Sequence, residues 1–127
     1  MRFIRQRTNT DCGVACLAML AGISWAQARR ALFGNVPTKS FSTDTKRMRA
    51  ALLKFGIVTS LRPIACKNPA RLKRDALLRT NVKANGGSHW AVWDSKRQRI
   101  LDPYYKRTRP CSALLVLRRL ETRKKAG

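Results

Sequence analysis

From Val14 to Ala21 the chain reads VACLAMLA, without one charged or hydrophilic side chain, and only Cys12 and Gly13 separate it from the polar stretch RQRTNTD. A run that is apolar on every side predicts a helix buried on every side rather than one lying on a surface. The expected helix covers residues 12–21 and stops at Gly22. The next segment, SWAQARRALFG, predicts a second helix: Ser24 with Gln27 three residues on forms a capping box, and Gly34 ends it. After a loop holding Pro37, STDTKRMRAALLKFG sets Met48, Leu52 and Phe55 on one stripe, with Lys46, Arg47, Arg49 and Lys54 largely outside it. That spacing predicts a third helix ended by Gly56. IVTSLRPI reads as a strand. NPARLKRDALLR reads as a short, basic fourth helix, with Asn68 as cap and Pro69 at the first helical position. The last third, SHWAVWDS, RQRILDPY and SALLVLRRL, reads as strands, the first two joined in a hairpin near Ser95 to Gln98. Helices first and antiparallel strands later make the class α+β, a set of helices packed on one sheet.

Length and charge narrow this picture. The chain of 127 residues is one domain, 1–127, with a basic tail over 118–127. Its longest apolar run is about ten residues where roughly 20 are needed to span a bilayer. No apolar stretch follows the charges of MRFIRQRTNTD, so no signal peptide is expected and a cytoplasmic setting is the default. Lys and Arg number 28 against six Asp and Glu, a net charge of +22. Such a surface suits a polyanion, so nucleic acid and acidic proteins are the partner classes that charge alone brings in. The four cysteines, at 12, 16, 66 and 111, lack the tight CxxC pair common in zinc sites, and neither a metal nor another cofactor is expected.

Candidate chemistry gathers on few residues. The chain has one histidine, His89, at the start of the expected hairpin, and Asp102 follows 13 residues later near the end of its second strand. Around a turn centred near residue 96 the two stand nearly opposite, and cross-strand Cβ atoms are roughly 4.5–5.5 Å apart, within reach of an imidazole–carboxylate contact. Pro103 holds Asp102 extended and stops the strand. Cys12 stands at a helix N-terminus, where free N–H groups and the helix dipole favour a thiolate, as a nucleophile requires. Cys16, one turn further in, reads as a core residue. Gln6, six residues before Cys12, offers an amide that can join the Cys12 N–H in binding an oxyanion. The order Gln, Cys, His, Asp is that of papain-like thiol enzymes.

QRTNTDCGVACLAML resembles the opening motif of the double-glycine leader peptidases, the papain-like cysteine peptidases that process bacteriocins. Their pattern of Gln, then Asp-Cys-Gly-x-Ala-Cys-Leu, then His with an aromatic and small apolar residues, then Asp-Pro, is met by Gln6, DCGVACL at 11–17, HWAVW at 89–93 and DP at 102–103. The likeness covers residues from about 4 to 105, most of the chain. It implies a papain-like fold in which the helix carrying the cysteine is central. It also implies Cys12 as nucleophile, His89 as base and acid, Asp102 orienting His89, and Gln6 in the oxyanion hole. The substrate it implies is a peptide cut after Gly-Gly. The family's exporters add a membrane transporter, which this chain lacks, so a stand-alone peptidase is expected. Gly86-Gly87 mimics the family's cleavage site and reads as a flexible loop leading into the strand. Two alternatives stay open: a papain-fold deamidase or acyltransferase acting on a partner protein, and a non-enzymatic basic module that binds nucleic acid or an acidic protein.

Overall fold

The uncharged run forms helix α1, Cys12–Ala21, in the computed structural model of the protein, which describes residues 1–82 and 88–120. Gly13 to Leu20 are buried throughout, and Gly22, at φ 68°, ends the helix in the left-handed region where a residue without a Cβ is at ease. Helix α2, Trp25–Phe33, begins with the full capping box of Ser24 and Gln27. Helix α3, Thr45–Lys54, is capped by Asp44 and turns Met48, Ala51 and Leu52 inward. Its basic residues also bind the end of α2: Arg47 Nη2 donates to the Leu32 carbonyl at 3.1 Å and Lys54 Nζ to that of Ala31 at 3.1 Å. Cations on terminal carbonyls complement the helix dipole.

The strands are β1 (Ile57–Thr59), β2 (Ile64–Ala65), β3 (Ala76–Thr80), β4 (His89–Asp94), β5 (Arg99–Leu101) and β6 (Pro110–Arg119). Their order is β1-β6-β3-β4-β5, with β2 also on β6, and every pairing is antiparallel. All three helices cover one face of this sheet. There Leu17, Leu20, Met48 and Leu52 meet Leu77, Val92, Leu114 and Val116. The other face carries a smaller cluster, Cys66, Ala76, Leu78, Ala91, Trp93 and Ala113, covered in part by Leu72. The molecule is α+β: α1 packs on β4, α3 on β1, and α2 against both of these helices. Among the described residues no single helix is long and apolar enough to cross a membrane.

Three expectations change. The fourth helix does not form: after Asn68 caps a single turn, Pro69–Arg71, the chain enters β3, the strand between β6 and β4. Ala76, Leu77 and Leu78 are all buried because the sheet is covered on both faces there, and a short continuous apolar run carries no period to separate strand from helix. The strand expected over 57–64 is two pieces, broken where Ser60 turns its hydroxyl to accept from Leu115 N–H at 3.1 Å and Leu61 stands exposed. Of the tail expected over 118–127, Arg118 and Arg119 pair with Val58 and Ile57 in the sheet. Gly86-Gly87 and residues 121–127 lie outside the described residues.

Candidate active site

Two local devices shape the start of α1. Asp11 occupies the N-cap position, but its side chain makes no capping bond. It turns back and is fully buried. Oδ2 accepts from Arg7 N–H at 2.8 Å and from the Trp25 indole at 2.7 Å; Oδ1 accepts from Thr8 N–H at 2.7 Å and the Thr8 hydroxyl at 2.8 Å. Burial works against ionisation of this carboxyl, but those four donors hold it below the usual carboxylate range. The first-turn N–H groups of α1, which have no partner within the helix, are therefore left free of their usual cap. The second device is Gly13. A Cβ there would lie 2.5 Å from Thr43 Cγ2 and 3.3 Å from Met48 Sδ. Its absence lets the 41–44 segment lean on the helix start, where Phe41 N–H also donates to Thr10 Oγ1 at 2.9 Å.

His89 opens β4 and Asp102 follows β5. The register Val92 with Leu101 and Trp93 with Ile100 brings the two side chains to the same end of the hairpin. His89 Nε2 and Asp102 Oδ1 are 2.7 Å apart, with side chains only 10% and 4% exposed. Oδ1 also accepts from the N–H groups of Tyr104 at 2.9 Å and Tyr105 at 2.8 Å, and Oδ2 from Thr108 Oγ1 at 2.8 Å. Burial opposes ionisation of Asp102 too, but the His89 bond and these three donors hold its carboxyl below the usual range. For His89, burial pushes the pKa down, yet the Asp102 carboxylate and the neighbouring Cys12 raise it to about 9. Bonding through Nε2 leaves Nδ1 as the ring nitrogen available to Cys12. The Tyr105 ring stands edge-on to the imidazole, centroids 4.8 Å apart.

Cys12 and His89 line one cavity of about 240 Å³. Asn9, Thr10, Ser42 and Thr43 form its helix side; Asn81, Ser88, Trp90 and Tyr105 form its sheet side. Among the described residues no charged side chain other than His89 lines it. Cys12 and His89 line the same cavity, and Asp102 is bonded to His89. Gln6 departs from the expectation. It does not line the cavity; its Nε2 donates to the Thr8 carbonyl at 2.7 Å, and its Oε1 is buried without a partner. The cause is the turn that Asp11 imposes on Arg7 and Thr8, which presents the Thr8 carbonyl to the Gln6 amide. The Gln6 main chain stays close to the site, its N–H donating to the Pro103 carbonyl at 3.2 Å.

Cys16 is fully buried, and burial pushes its thiol well above the ordinary range, with the charges of Cys12 and Asp102 adding to it. Cys66 is buried under the other face of the sheet and Cys111 is exposed. Among the described residues no three His, Cys, Asp or Glu side chains converge as a metal-ligand set. Sequence reasoning missed Asn81, Tyr105 and Thr43 as cavity residues. Tyr105 had a signal in its position just after Asp102-Pro103. Asn81 had the weaker one of an Asn beside a strand end, and it adopts φ 51°, a conformation Asn tolerates better than most residues. Compared with family models and with curated proteins, the chain matches none.

Proposed function

We propose that the protein is a papain-like cysteine peptidase acting without a metal, with Cys12 as nucleophile, His89 as general acid and base, and Asp102 fixing the imidazole. The observation that carries the reading is the 2.7 Å contact of His89 Nε2 with a buried carboxylate, in a ring that shares its cavity with a helix-terminal cysteine. In the reaction the Cys12 sulfur bonds to the acyl carbon of the substrate, and the carbonyl electron pair moves onto oxygen. The Cys12 N–H and its first-turn neighbours, left uncapped by Asp11, supply donors for that oxygen. The C–N bond breaks as His89 gives its proton to the departing amine. Water then attacks the thioester, His89 accepts the water's proton, and the acid product leaves with the thiol restored.

A raised imidazole pKa supports the acid role, since the ring carries its proton at neutral pH. The sequence resemblance brings in cleavage after Gly-Gly as the first specificity to test. A deamidase or acyltransferase would share the first half of this chemistry and differ only in what resolves the acyl-enzyme. A purely polyanion-binding role draws on the charge alone and leaves the Asp102–His89 pair without use. Alkylation with dilute iodoacetamide near pH 6.5, mapped by mass spectrometry, is expected to modify Cys12 far faster than Cys16, Cys66 or Cys111. Profiling of cleaved peptides should then give products with the native chain and none with Cys12→Ala. Equal alkylation of Cys12 and Cys111, or identical products from both proteins, would overturn the proposal.

A further inference from the structure

Tyr105 lines the catalytic cavity and two further depressions beside it, of about 440 and 580 Å³. Asn81 and Tyr105 line both the catalytic cavity and the first of these, so the two adjoin. The first is built from Val82, Cys111, Arg107 and Arg109; the second from Phe3, Ile100, Lys106 and the same two arginines. These surfaces combine exposed apolar groups with three cations. Val82 is 51% exposed and Phe3 44%.

The basic loop is held in place by the site itself. Asn81 Nδ2 donates to the Arg107 carbonyl at 3.2 Å, Arg109 N–H donates to Asn81 Oδ1 at 2.6 Å, and Asn81 N–H donates to the Arg109 carbonyl at 2.9 Å. Thr108, between the two arginines, donates to Asp102, the carboxylate that holds His89. A loop fixed in this way presents its charges at set distances from Cys12 and loses little freedom when it binds. Among the described residues no carboxylate forms an ion pair with Lys106, Arg107 or Arg109: the ion pairs there engage Asp75, Asp94 and Asp102 with other partners.

We infer that this surface beyond Tyr105 recognises the substrate, and that it takes an acidic peptide segment with an apolar residue among its Asp or Glu side chains, a few residues from the bond that is cut. The inference rests on the peptidase reading. A peptide is favoured over a nucleic acid because the surface adjoins the cavity of Cys12 and His89, and because apolar groups stand among its cations. The Tyr105 ring, moreover, is edge-packed between His89 and Tyr104, with centroids 4.8 Å from each, rather than offered as a stacking platform.

The test is digestion of a proteome-derived peptide library by the full chain, with the cleaved peptides sequenced. Asp and Glu should be enriched at fixed distances on one side of the cut. For the best acidic peptide kcat/KM should fall at least tenfold in Arg107→Glu/Arg109→Glu, and also in the native chain when salt rises from 50 to 300 mM. The same charge change elsewhere, Arg62→Glu/Lys67→Glu, should alter it less than twofold. Retained fast alkylation of Cys12 shows that the Arg107/Arg109 variant has folded, and the salt series decides if it has not. Cleavage without acidic enrichment overturns this inference alone; no cleavage by the native chain overturns the peptidase reading and the inference together. Binding of a single-stranded oligonucleotide that is lost in the same variant, with peptide cleavage unchanged, would assign the surface to nucleic acid and overturn the inference.

Discussion

The carboxylate of Asp11 bonds to no residue of the proposed triad, yet it decides how the loop before Cys12 runs. Replacing it by Ala leaves the N–H groups of Arg7 and Thr8 and the Trp25 indole without their acceptor. Each buried donor left unpaired costs about 1–3 kcal/mol. Asp11→Ala is therefore expected to lower stability by about 3 kcal/mol in urea unfolding, and a loss below about 1 kcal/mol would mean that water takes the carboxylate's place. The same turn bears on Gln6. An amide that donates to the Thr8 carbonyl and stands outside the cavity lining must turn before it can reach an oxyanion there. Gln6→Ala should thus lower kcat by about tenfold, short of the 10²–10³ that a preorganised donor is worth. A loss beyond a hundredfold would show the amide swinging into the hole during turnover. Here lies the limit of what residue order can convey. Cys12, His89 and Asp102 were legible because helix start and hairpin register place them almost without regard to side-chain direction. Gln6 was not, because its direction depends on a carboxylate five positions on that folds back instead of capping.

Among elements, the helices were legible to the residue at several ends, since Ser24, Gly22 and Gly34 are local signals with local effects. Strand β3 was not, because its identity comes from its pairing with β4 and β6 further along the chain, while its own composition suits a helix equally well. The joint between α1 and the 41–44 segment lies between these cases. Gly13 within Asp-Cys-Gly was visible, but the neighbour that requires it was not. A methyl at Gly13 needs Thr43 or the backbone to shift, and overpacking of this kind costs about 1–3 kcal/mol. Since Thr43 and Ser42 line the cavity of Cys12 and His89, the shift also moves its wall. Gly13→Ala is expected to lower stability by about 2 kcal/mol in urea and to change the alkylation rate of Cys12 several-fold. If stability falls and the alkylation rate stays, the segment yields away from the cavity rather than along its wall.

For the whole molecule, the excess of base and the buried acids set opposite ends of one pH profile. Asp11, Asp75 and Asp102 all ionise more readily folded than their ordinary value of 3.8, so the stability they add is present above that value and is lost as pH falls through their folded pKa values. Positive self-repulsion grows over the same range and acts in the same direction. On the alkaline side His89 dominates. Its pKa rises from 6.5 unfolded to about 9 folded, so its contribution is full below 6.5 and is lost as pH climbs to 9. The loss on full deprotonation is on the order of 3 kcal/mol. Stability should therefore hold between about pH 4 and 6.5 and then fall steadily to pH 9. In His89→Gln the slope between 6.5 and 9 should vanish, whatever the variant's stability at pH 6. Titration of the His89 ring by NMR should give a midpoint near 9 in the native chain and a lower one in Asp102→Asn, which keeps the shape but removes the charge. A native midpoint near 6.5 would mean that the imidazole is neutral at physiological pH. The proton for the leaving amine would then have to be drawn from Cys12 during the reaction instead of being held on the ring beforehand.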